Sequence, residues 1–260
     1  MENAISIEGL SISFGGLKAV DNFDMEIKSG EIRSLIGPNG AGKTTIFNLI
    51  TRIYKHDRGK ILFYGEDIST LPPHRIAQKR IARTFQNVEL IGELTALENV
   101  LVGCYIHFTY GLFSAALRLK KMRNEEKEQK GRALKALSLV GLQPFKNIVS
   151  SNIPLGQRRL LEIARALVID PKLLLLDEPA AGMNALEIKE LNRLLKLLRE
   201  ERGITILLVE HQMRMVMEVS DSITVLDYGQ KIAEGTPNEI RNNPDVINAY
   251  LGKKESNAQN

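Results

Sequence analysis

The residues best suited to chemistry in this 260-residue chain form one glycine-rich segment, Gly37-Pro38-Asn39-Gly40-Ala41-Gly42-Lys43-Thr44. Its spacing matches G-x-x-x-x-G-K-[ST], the phosphate-binding loop. Apolar residues from Ile32 to Ile36 precede it, and Thr45 to Ile50 follow it. This pattern predicts a strand, a loop and a helix, which is the context that confirms the motif.

The loop is suited to a nucleoside triphosphate. Glycines tolerate positive φ and let the backbone approach a phosphate closely, and N–H groups at a helix N-terminus attract anions. Lys43 would reach the β- and γ-phosphates, and Thr44 would offer its hydroxyl to Mg²⁺. The alternative is a glycine-rich turn with a chance lysine.

Two carboxylates follow an apolar run, Leu173 to Leu176, which is typical of a strand buried on both faces in a parallel sheet. Ligands bind at the carboxyl ends of such strands. Asp177 would help to hold Mg²⁺, mostly through water, and Glu178 would polarise the water that attacks the γ-phosphate. The alternative is an acidic pair at a helix N-terminus.

Three more side chains have ambiguous patterns when each is considered alone. His211 follows a buried strand and would share a sheet edge with Asp177, although a histidine there is more often structural. Gln86 follows another strand and is equally consistent with a surface residue. The spacing around Phe14 favours a core aromatic, with stacking on an adenine ring as the alternative.

The segments around these residues show two hydrophobic periodicities, one typical of strands and one typical of helices. Alternating apolar residues predict half-buried strands at Ile5–Glu8 and Phe23–Ile27. From Leu97 to about Leu142 the pattern is helical, and its charged part from Leu117 indicates a solvated face with Glu128 and Arg132 as an i,i+4 pair. Further signals predict a strand over Gly59–Gly65, a helix opening at Pro72-Pro73, a helix opening at Gly156 and a hairpin at Asp227–Gln230.

Composition excludes several classes of protein. No apolar run reaches the ~20 residues of a membrane helix, and residues 1–5 lack a signal-peptide pattern. The single cysteine, Cys104, excludes an internal disulfide framework and suits a reducing cytoplasm. A net charge of +4 is modest for this length and does not indicate nucleic-acid binding.

Taken together, the motifs resemble the nucleotide-binding subunit of an ABC transporter over roughly Ile5 to Leu251. Besides the Walker A loop, Phe85-Gln86 resembles the Q-loop, and Ile153 to Gln157 takes the place of the L-S-G-G-Q signature. Further matches are Walker B at Leu173–Glu178, the D-loop at Ala181–Asn184 and the switch histidine at His211. The order and spacing of these six motifs make the resemblance specific.

The resemblance implies an α/β fold: a P-loop core with a mixed sheet, an antiparallel β subdomain and a helical subdomain. It implies one ABC ATPase domain over residues 1–252, a helical subdomain inserted at about 88–168, and a disordered tail at 253–260. The expected ligands are ATP and Mg²⁺. The implied catalytic residues are Glu178 and His211, and the implied metal ligands are Thr44, Gln86 and Asp177. The signature that would face the partner's ATP comprises Pro154, Leu155, Gly156 and Gln157. The residues implied to surround the chain's own ATP are Phe14, Gly37, Pro38, Asn39, Gly40, Ala41, Gly42, Lys43, Thr44, Thr45, Gln86 and Asp177.

The resemblance also implies a mechanism and partners. Two such subunits sandwich ATP head to tail, each between one Walker A loop and the other chain's signature, and closure drives membrane permease subunits. Within the family, segments such as Ala82–Asn87, Glu98–Gly103 and Asp177–Asn184 look most like Liv-type branched-chain amino acid importer ATPases. The chain is then expected in the cytoplasm, on the inner face of the cell membrane, working indirectly with a periplasmic or extracellular substrate-binding protein and without nucleic acid.

Two departures from the family pattern affect the expected partner. At the signature, Pro154 replaces the serine and Leu155 the first glycine, so a hydroxyl and an N–H are lost. At the D-loop, Asn184 replaces an aspartate. We therefore expect a heterodimer with a second ATPase subunit, with a homodimer as the alternative.

The other functions to weigh are an ABC ATPase for another transported substrate, a soluble ABC ATPase acting on nucleic acid or ribosomes, and a P-loop kinase. The soluble ABC ATPases usually carry tandem cassettes or long coiled coils, and this chain has neither. The signature, Glu178 and His211 argue against a kinase.

Overall fold

A computed structural model describes residues 2–107 and 120–256 of the chain, which divides into two compact units. The first unit comprises Met1–Arg83, Lys172–Glu178 and Leu195–Asn260, and the second comprises Thr84–Pro171 and Pro179–Leu194. The helical insertion expected at about 88–168 falls within the second unit. Of the expected tail at 253–260, the last four residues lie outside the described part, whereas a helix extends through Ser256.

The described residues form ten strands and nine α-helices. The strands are β1 (Asn3–Phe14), β2 (Leu17–Lys28), β3 (Ile32–Ile36), β4 (Arg58–Phe63), β5 (Glu66–Asp67), β6 (Ile81–Arg83), β7 (Leu173–Asp177), β8 (Thr205–Val209), β9 (Ser222–Asp227) and β10 (Gln230–Gly235). The helices are α1 (Lys43–Ile50), α2 (Pro73–Gln78), α3 (Ala96–Gly103), α4 (Lys120–Leu139), α5 (Leu155–Leu167), α6 (Ala185–Arg202), α7 (Met213–Val219), α8 (Pro237–Arg241) and α9 (Pro244–Ser256).

A six-stranded mixed sheet lies at the centre of the first unit, in the order β10-β9-β3-β8-β7-β6. Neighbouring strands from β9 to β6 run parallel, and β10 pairs antiparallel with β9. Every residue of β3, β7 and β8 is buried, which confirms the continuous apolar runs as strands covered on both faces. The parallel arrangement brings the carboxyl ends of β3, β6, β7 and β8 to one edge.

The second sheet of this unit is antiparallel, in the order β2-β1-β4-β5. The predicted strands Ile5–Glu8 and Phe23–Ile27 are confirmed but form parts of two twelve-residue strands. Register shifts between β1 and β2 interrupt the alternation of apolar residues, so the period-2 pattern reveals only the regular stretches. One apolar cluster joins this sheet to the mixed sheet through α1, and Phe23, Phe47 and Leu35 within it are fully buried.

Helices α3, α4 and α5 belong to the second unit. A capping box starts α3, where Thr95 accepts from the N–H of Glu98 and the Glu98 carboxylate accepts from the N–H of Thr95. The predicted i,i+4 pair on α4 is confirmed, with Arg132 Nη2 3.0 Å from Glu128 Oε1. The part of the helical prediction that covers residues 108–119 falls outside the described residues. No described helix is both long and apolar enough to cross a membrane.

Cys104 lies buried at the end of α3, and its thiol contacts the carbonyl of Gln129 at 3.7 Å. Burial raises the pKa of this thiol to about 11, so the thiolate is scarce at neutral pH. The burial of Cys104 and its raised thiol pKa indicate a packing residue rather than a reactive thiol.

Candidate nucleotide-binding site

The glycine-rich loop connects β3 to α1, as predicted, and its backbone requires glycine at specific positions. Gly37 has φ of 153° and Gly42 has φ of 105°, values that L side chains adopt rarely. A Cβ built on Gly37 would lie 2.0 Å from the carbonyl oxygen of Leu226, and one on Gly42 would lie 2.6 Å from that of Ala19. The loop therefore packs too closely on its neighbours for any side chain at either position.

The first turn of α1 presents its amide groups without competition from a side chain. Its N-cap is Gly42, no side chain caps it and no acidic residue occupies the first turn. The orphan N–H groups of such a turn and the helix dipole favour an anion. Asn39, Gly40 and Thr44 are exposed here, so a ligand can reach the loop.

Lys43 is the cation of this loop and is almost fully buried. Its ammonium donates to the carbonyl oxygens of Gly37 at 2.8 Å and Pro38 at 2.9 Å. Thr44 is exposed and Thr45 half-buried on the next positions of α1. A lysine, a hydroxyl and uncapped amide groups form the donor set that fits a triphosphate.

Asp177 ends β7 and is bound there by an arginine from the neighbouring strand. Arg83, the last residue of β6, places Nη2 3.1 Å from Asp177 Oδ2, and both side chains are buried. Burial raises the pKa of Asp177, while the charge of Arg83 and, more weakly, that of Lys43 oppose the shift. Carboxylate oxygens are ligands that Mg²⁺ prefers, and the two neighbouring cations favour the ionised form of Asp177 that could bind it.

Glu178 and His211, the two expected catalytic residues, are in contact. His211 Nε2 lies 2.7 Å from Glu178 Oε1, with the two side chains 39% and 20% exposed. Strands β7 and β8 are parallel neighbours with Asp177 opposite Val209, so residues that follow the two strands emerge side by side. Because a carboxylate can only accept, Nε2 carries the hydrogen of this bond.

The backbone at the ends of these strands is fixed locally. Glu178 has a left-handed φ of 49°, and its N–H donates to the carbonyl of Val209 at 2.9 Å. The buried carboxylate of Glu210 accepts from the N–H groups of His211 at 3.0 Å and Gln212 at 3.3 Å. Glu178 is one of seven described non-glycine residues with positive φ, so this backbone conformation fixes the position of Glu178 but does not by itself mark a functional site.

Phe14 lies at the end of β1, beside the two glycines of the hairpin turn. It is 44% exposed and packs edge-to-face on Tyr54, with ring centroids 5.2 Å apart. The prediction from spacing alone, that Phe14 is a core residue, is therefore wrong. The reason is that Phe14 falls in the last, solvated part of the hairpin, where burial no longer follows the strand's alternation.

In the second unit, the signature residues start α5. The helix begins at Leu155, one residue before the predicted Gly156, with Pro154 as its N-cap and no side chain capping it. Leu155 is 40% exposed and Gln157 half-buried. Gly156 is buried against Glu187, and a Cβ on it would lie 2.4 Å from Glu187 Oε1.

The D-loop of the same unit packs on this helix start. The Leu155 side chain lies against Gly182, whose φ is 79°. Asn184 caps α6, because its Oδ1 accepts from the N–H groups of Leu186 at 2.9 Å and Glu187 at 3.1 Å. Glu187 in turn accepts from the N–H of Asn184 at 2.8 Å, which completes a capping box.

Gln86 is exposed. It lies in the segment 85–89, which is hydrogen-bonded to α5 at both ends. Arg159 on this helix donates to the carbonyl of Phe85 at 3.2 Å, and the buried carboxylate of Glu162 accepts from the N–H of Glu89 at 2.8 Å. Arg165 also donates to the carbonyl of Glu89. The predicted Q-loop and the helix that follows the signature are therefore joined within one unit.

Sequence reasoning missed two features of this region. The capping role of Asn184 could have been predicted, since Asn184 and Glu187 have the N-x-x-E spacing of a capping box. The pairing of Arg83 with Asp177 could not, because it depends on which strand lies beside β7.

Comparison with known proteins agrees with this geometry. The profile of the ABC transporter family matches residues 20–181, and that of the branched-chain amino acid ATP-binding cassette transporter family matches residues 230–256. The high-affinity branched-chain amino acid transport ATP-binding protein LivG of Escherichia coli K12 is 48% identical over 96% of this chain and 98% of its own length.

Two solved structures have the same fold. The ADP conformation of MJ1267, an ATP-binding cassette of an ABC transporter, superposes with a TM-score of 0.84 at 31% identity, over 97% of this chain and all of that one. The dimeric post-hydrolysis state of the cassette MJ0796, bound to ADP and Pi, has a TM-score of 0.75 at 26% identity, over 90% and 98%. The expected fold class is confirmed, and the chain belongs to the ABC transporter family as one of its ATP-hydrolysing cassettes.

Proposed function

We propose that this cassette powers the import of branched-chain amino acids. The observation that carries the mechanism is the Glu178–His211 contact at the sheet edge that also holds the phosphate-binding loop and Asp177. The substrate class is supported by the 48% identity to LivG and by the C-terminal profile match. The substrate class rests on these similarities, because a fold by itself does not identify the transported substrate.

In the proposed reaction, the amide groups of α1 and the ammonium of Lys43 bind the phosphates of ATP. Thr44, Asp177 and Gln86 would hold Mg²⁺, which would neutralise charge on the β- and γ-phosphates. Glu178 takes a proton from the attacking water as the γ-phosphoryl group is transferred, and ADP and phosphate leave. His211 orients the Glu178 carboxylate through Oε1, which directs the other oxygen to the water.

The adenine ring would stack on the exposed Phe14, whose edge-to-face contact with Tyr54 fixes the ring plane. Among the remaining loop residues, Asn39 has a backbone N–H that could bind a phosphate. Pro38 has no N–H, and the N–H of Ala41 donates to the carbonyl of Pro38 at 3.1 Å, so these two residues would shape the loop around the phosphates.

We propose that the working unit is a heterodimer with a second ATPase subunit, bound to membrane permease subunits at the inner face of the cell membrane. The dimer of MJ0796 supports pairing of two cassettes. In such a pair, Pro154 to Gln157 would face the partner's ATP with the first-turn amide groups of α5 but without the serine hydroxyl of the family signature. A periplasmic or extracellular binding protein would deliver the amino acid to the permeases.

Replacing Pro154 by serine is expected to raise ATP turnover at the partner's site in the assembled complex by about tenfold or more. The new hydroxyl can donate to the γ-phosphate, and a hydrogen bond to a charged group contributes about 1.5–3 kcal/mol. The assay is ATP hydrolysis by complexes in which this chain carries serine, alanine or proline at position 154. Alanine restores the N–H without the hydroxyl, so an equal rise with alanine, or no rise with serine, contradicts the proposal.

Uptake by a reconstituted complex tests the proposed function as a whole. We expect the chain, co-expressed with its permease and ATPase partners, to fractionate with membranes and to drive ATP-dependent uptake of radiolabelled leucine into vesicles. Uptake should fail without the chain. Membrane-bound ATP hydrolysis without transport of any branched-chain amino acid would indicate another substrate class, and recovery with nucleic acid or ribosomes would indicate a non-transport ATPase.

A further inference from the structure

We infer that Arg83 is a positioning residue for the Mg²⁺ site, since it joins the strand that carries Asp177 to the helix that carries Thr44. This inference rests on the proposed function, which assigns Thr44 and Asp177 as metal ligands. Arg83 itself lies one strand away from Asp177, at the end of β6, and would not contact the metal.

The guanidinium uses two nitrogen atoms for two different elements. Nη2 binds Asp177 Oδ2 at 3.1 Å. Nη1 donates to Asn48 Oδ1 at 2.7 Å and to Thr51 Oγ1 at 3.2 Å, both on or next to the last turn of α1. One planar group thus fixes the distance between β7 and α1.

The α1 side of this link is close to the phosphate-binding loop. Asn48 follows Thr44 by four residues, so the two side chains share one face of the helix. A displacement of Asn48 would therefore also move Thr44. The guanidinium in addition lies over the ring of Phe47, 5.4 Å from its centroid, and this contact holds its plane in place.

The burial of the pair shows why geometry, rather than stability, is its main effect. The Arg83 and Asp177 side chains are 6% and 1% exposed. Removing both charges from water costs about as much as their attraction returns, so such a pair adds little to folding. What it does provide is direction, because the planar guanidinium fixes Nη2, which binds Asp177, relative to Nη1, which binds Asn48, and the point charge of lysine does not.

Metal sites depend on this kind of support. Groups that orient a ligating carboxylate typically change metal affinity by about 10–100-fold when they are mutated. We therefore expect Arg83 to act on the Mg²⁺-dependent part of ATP binding and to leave the Mg²⁺-independent part unchanged.

The test is the affinity of the purified chain for a fluorescent ATP analogue, measured with Mg²⁺ and with EDTA. For Arg83→Gln we expect the gain in affinity on adding Mg²⁺ to fall by about 10–100-fold, while the affinity in EDTA stays within about twofold of the wild type. Arg83→Lys should recover part of the gain. Arg58→Gln, an exposed arginine of the same unit, is the matched control and should behave as the wild type.

Four outcomes would count against the inference. An equal loss of ATP affinity with and without Mg²⁺ would show that Arg83 supports only the fold. An unchanged gain in affinity on adding Mg²⁺ would show that Arg83 does not affect the metal site. Either result overturns the inference. If Arg83→Gln does not fold, Asn48→Ala removes the shorter of the two contacts that Arg83 makes with α1 and its C-cap and leaves the contact with Asp177. This variant should lose part of the gain, and an unchanged gain would again overturn the inference. A wild-type chain with no Mg²⁺ gain would instead refute the proposed metal ligands.

Discussion

The Glu178→Gln variant is expected to hydrolyse ATP about 10²–10⁴-fold more slowly than the wild type while it still binds ATP. A positioned general base contributes about this factor, and glutamine keeps the size of the side chain and one acceptor oxygen but cannot take the proton. Because ATP binding depends on the loop and α1, its affinity should change little. The measurement pairs steady-state ATP turnover of the assembled complex with equilibrium binding of ATP.

The geometry at Glu178 is the reason to expect so large a loss. Its left-handed backbone at φ 49° and its contact with His211 at 2.7 Å hold the carboxylate in one place at the sheet edge. Such a preorganised group cannot be replaced by a neighbouring acid: Asp177 is buried and bound by Arg83, and Glu210 is buried and binds backbone N–H groups.

A glutamate of α4 provides the control. Glu128→Gln changes the same functional group on an exposed face, where Glu128 binds only Arg132 in the described structure, and turnover should remain within about twofold of the wild type. If Glu178→Gln hydrolysed ATP at the wild-type rate, another residue would be the base and the role proposed for the Glu178–His211 pair would be wrong.

The same variant addresses the oligomeric state. With hydrolysis blocked, a closed ATP-bound dimer should accumulate if two copies of this chain can complete a site. Light scattering with and without ATP measures this. A monomer that binds ATP would support the heterodimer, because the Pro154 signature would then be unable to close a homodimeric site.

The parts of the fold that sequence predicted best are those where one pattern has one structural solution. The glycines and lysine of the phosphate loop require a strand before them and a helix after them, and β3 and α1 have those positions. Four consecutive leucines before Asp177 are too apolar for an exposed strand, and β7 is buried throughout. The Tyr228-Gly229 turn likewise combines φ values of 43° and 79°, which suit a two-residue hairpin.

Sequence failed where the outcome depends on a neighbour that is distant along the chain. Phe14 resembles a core residue by spacing, but the end of its hairpin is solvated and its contact is Tyr54, forty residues later. Arg83 resembles an ordinary strand end, yet β6 lies beside β7 and the arginine reaches Asp177, ninety-four residues away. No local periodicity encodes such a pairing, which follows only from strand order.

The Lys43→Ala variant is expected to bind ATP about 10²–10⁴-fold more weakly than the wild type. The ammonium would donate to phosphate oxygens of both the β- and γ-groups, and each hydrogen bond to a charged group contributes about 1.5–3 kcal/mol. Two such bonds correspond to about 3–6 kcal/mol, and each 1.4 kcal/mol is a factor of ten in affinity. Equilibrium binding of a fluorescent ATP analogue measures the loss.

The position of Lys43 in the loop makes folding an essential check on this result. Its ammonium also donates to the carbonyl oxygens of Gly37 and Pro38, at 2.8 and 2.9 Å. Replacing Lys43 by alanine removes both of these hydrogen bonds within the loop. Thermal unfolding without nucleotide separates this effect from lost phosphate contacts, and Lys60→Ala, at an exposed position of β4, is the control. A Lys43→Ala chain that is folded and binds ATP as tightly as the wild type would show that the amide groups of α1 alone carry the phosphates.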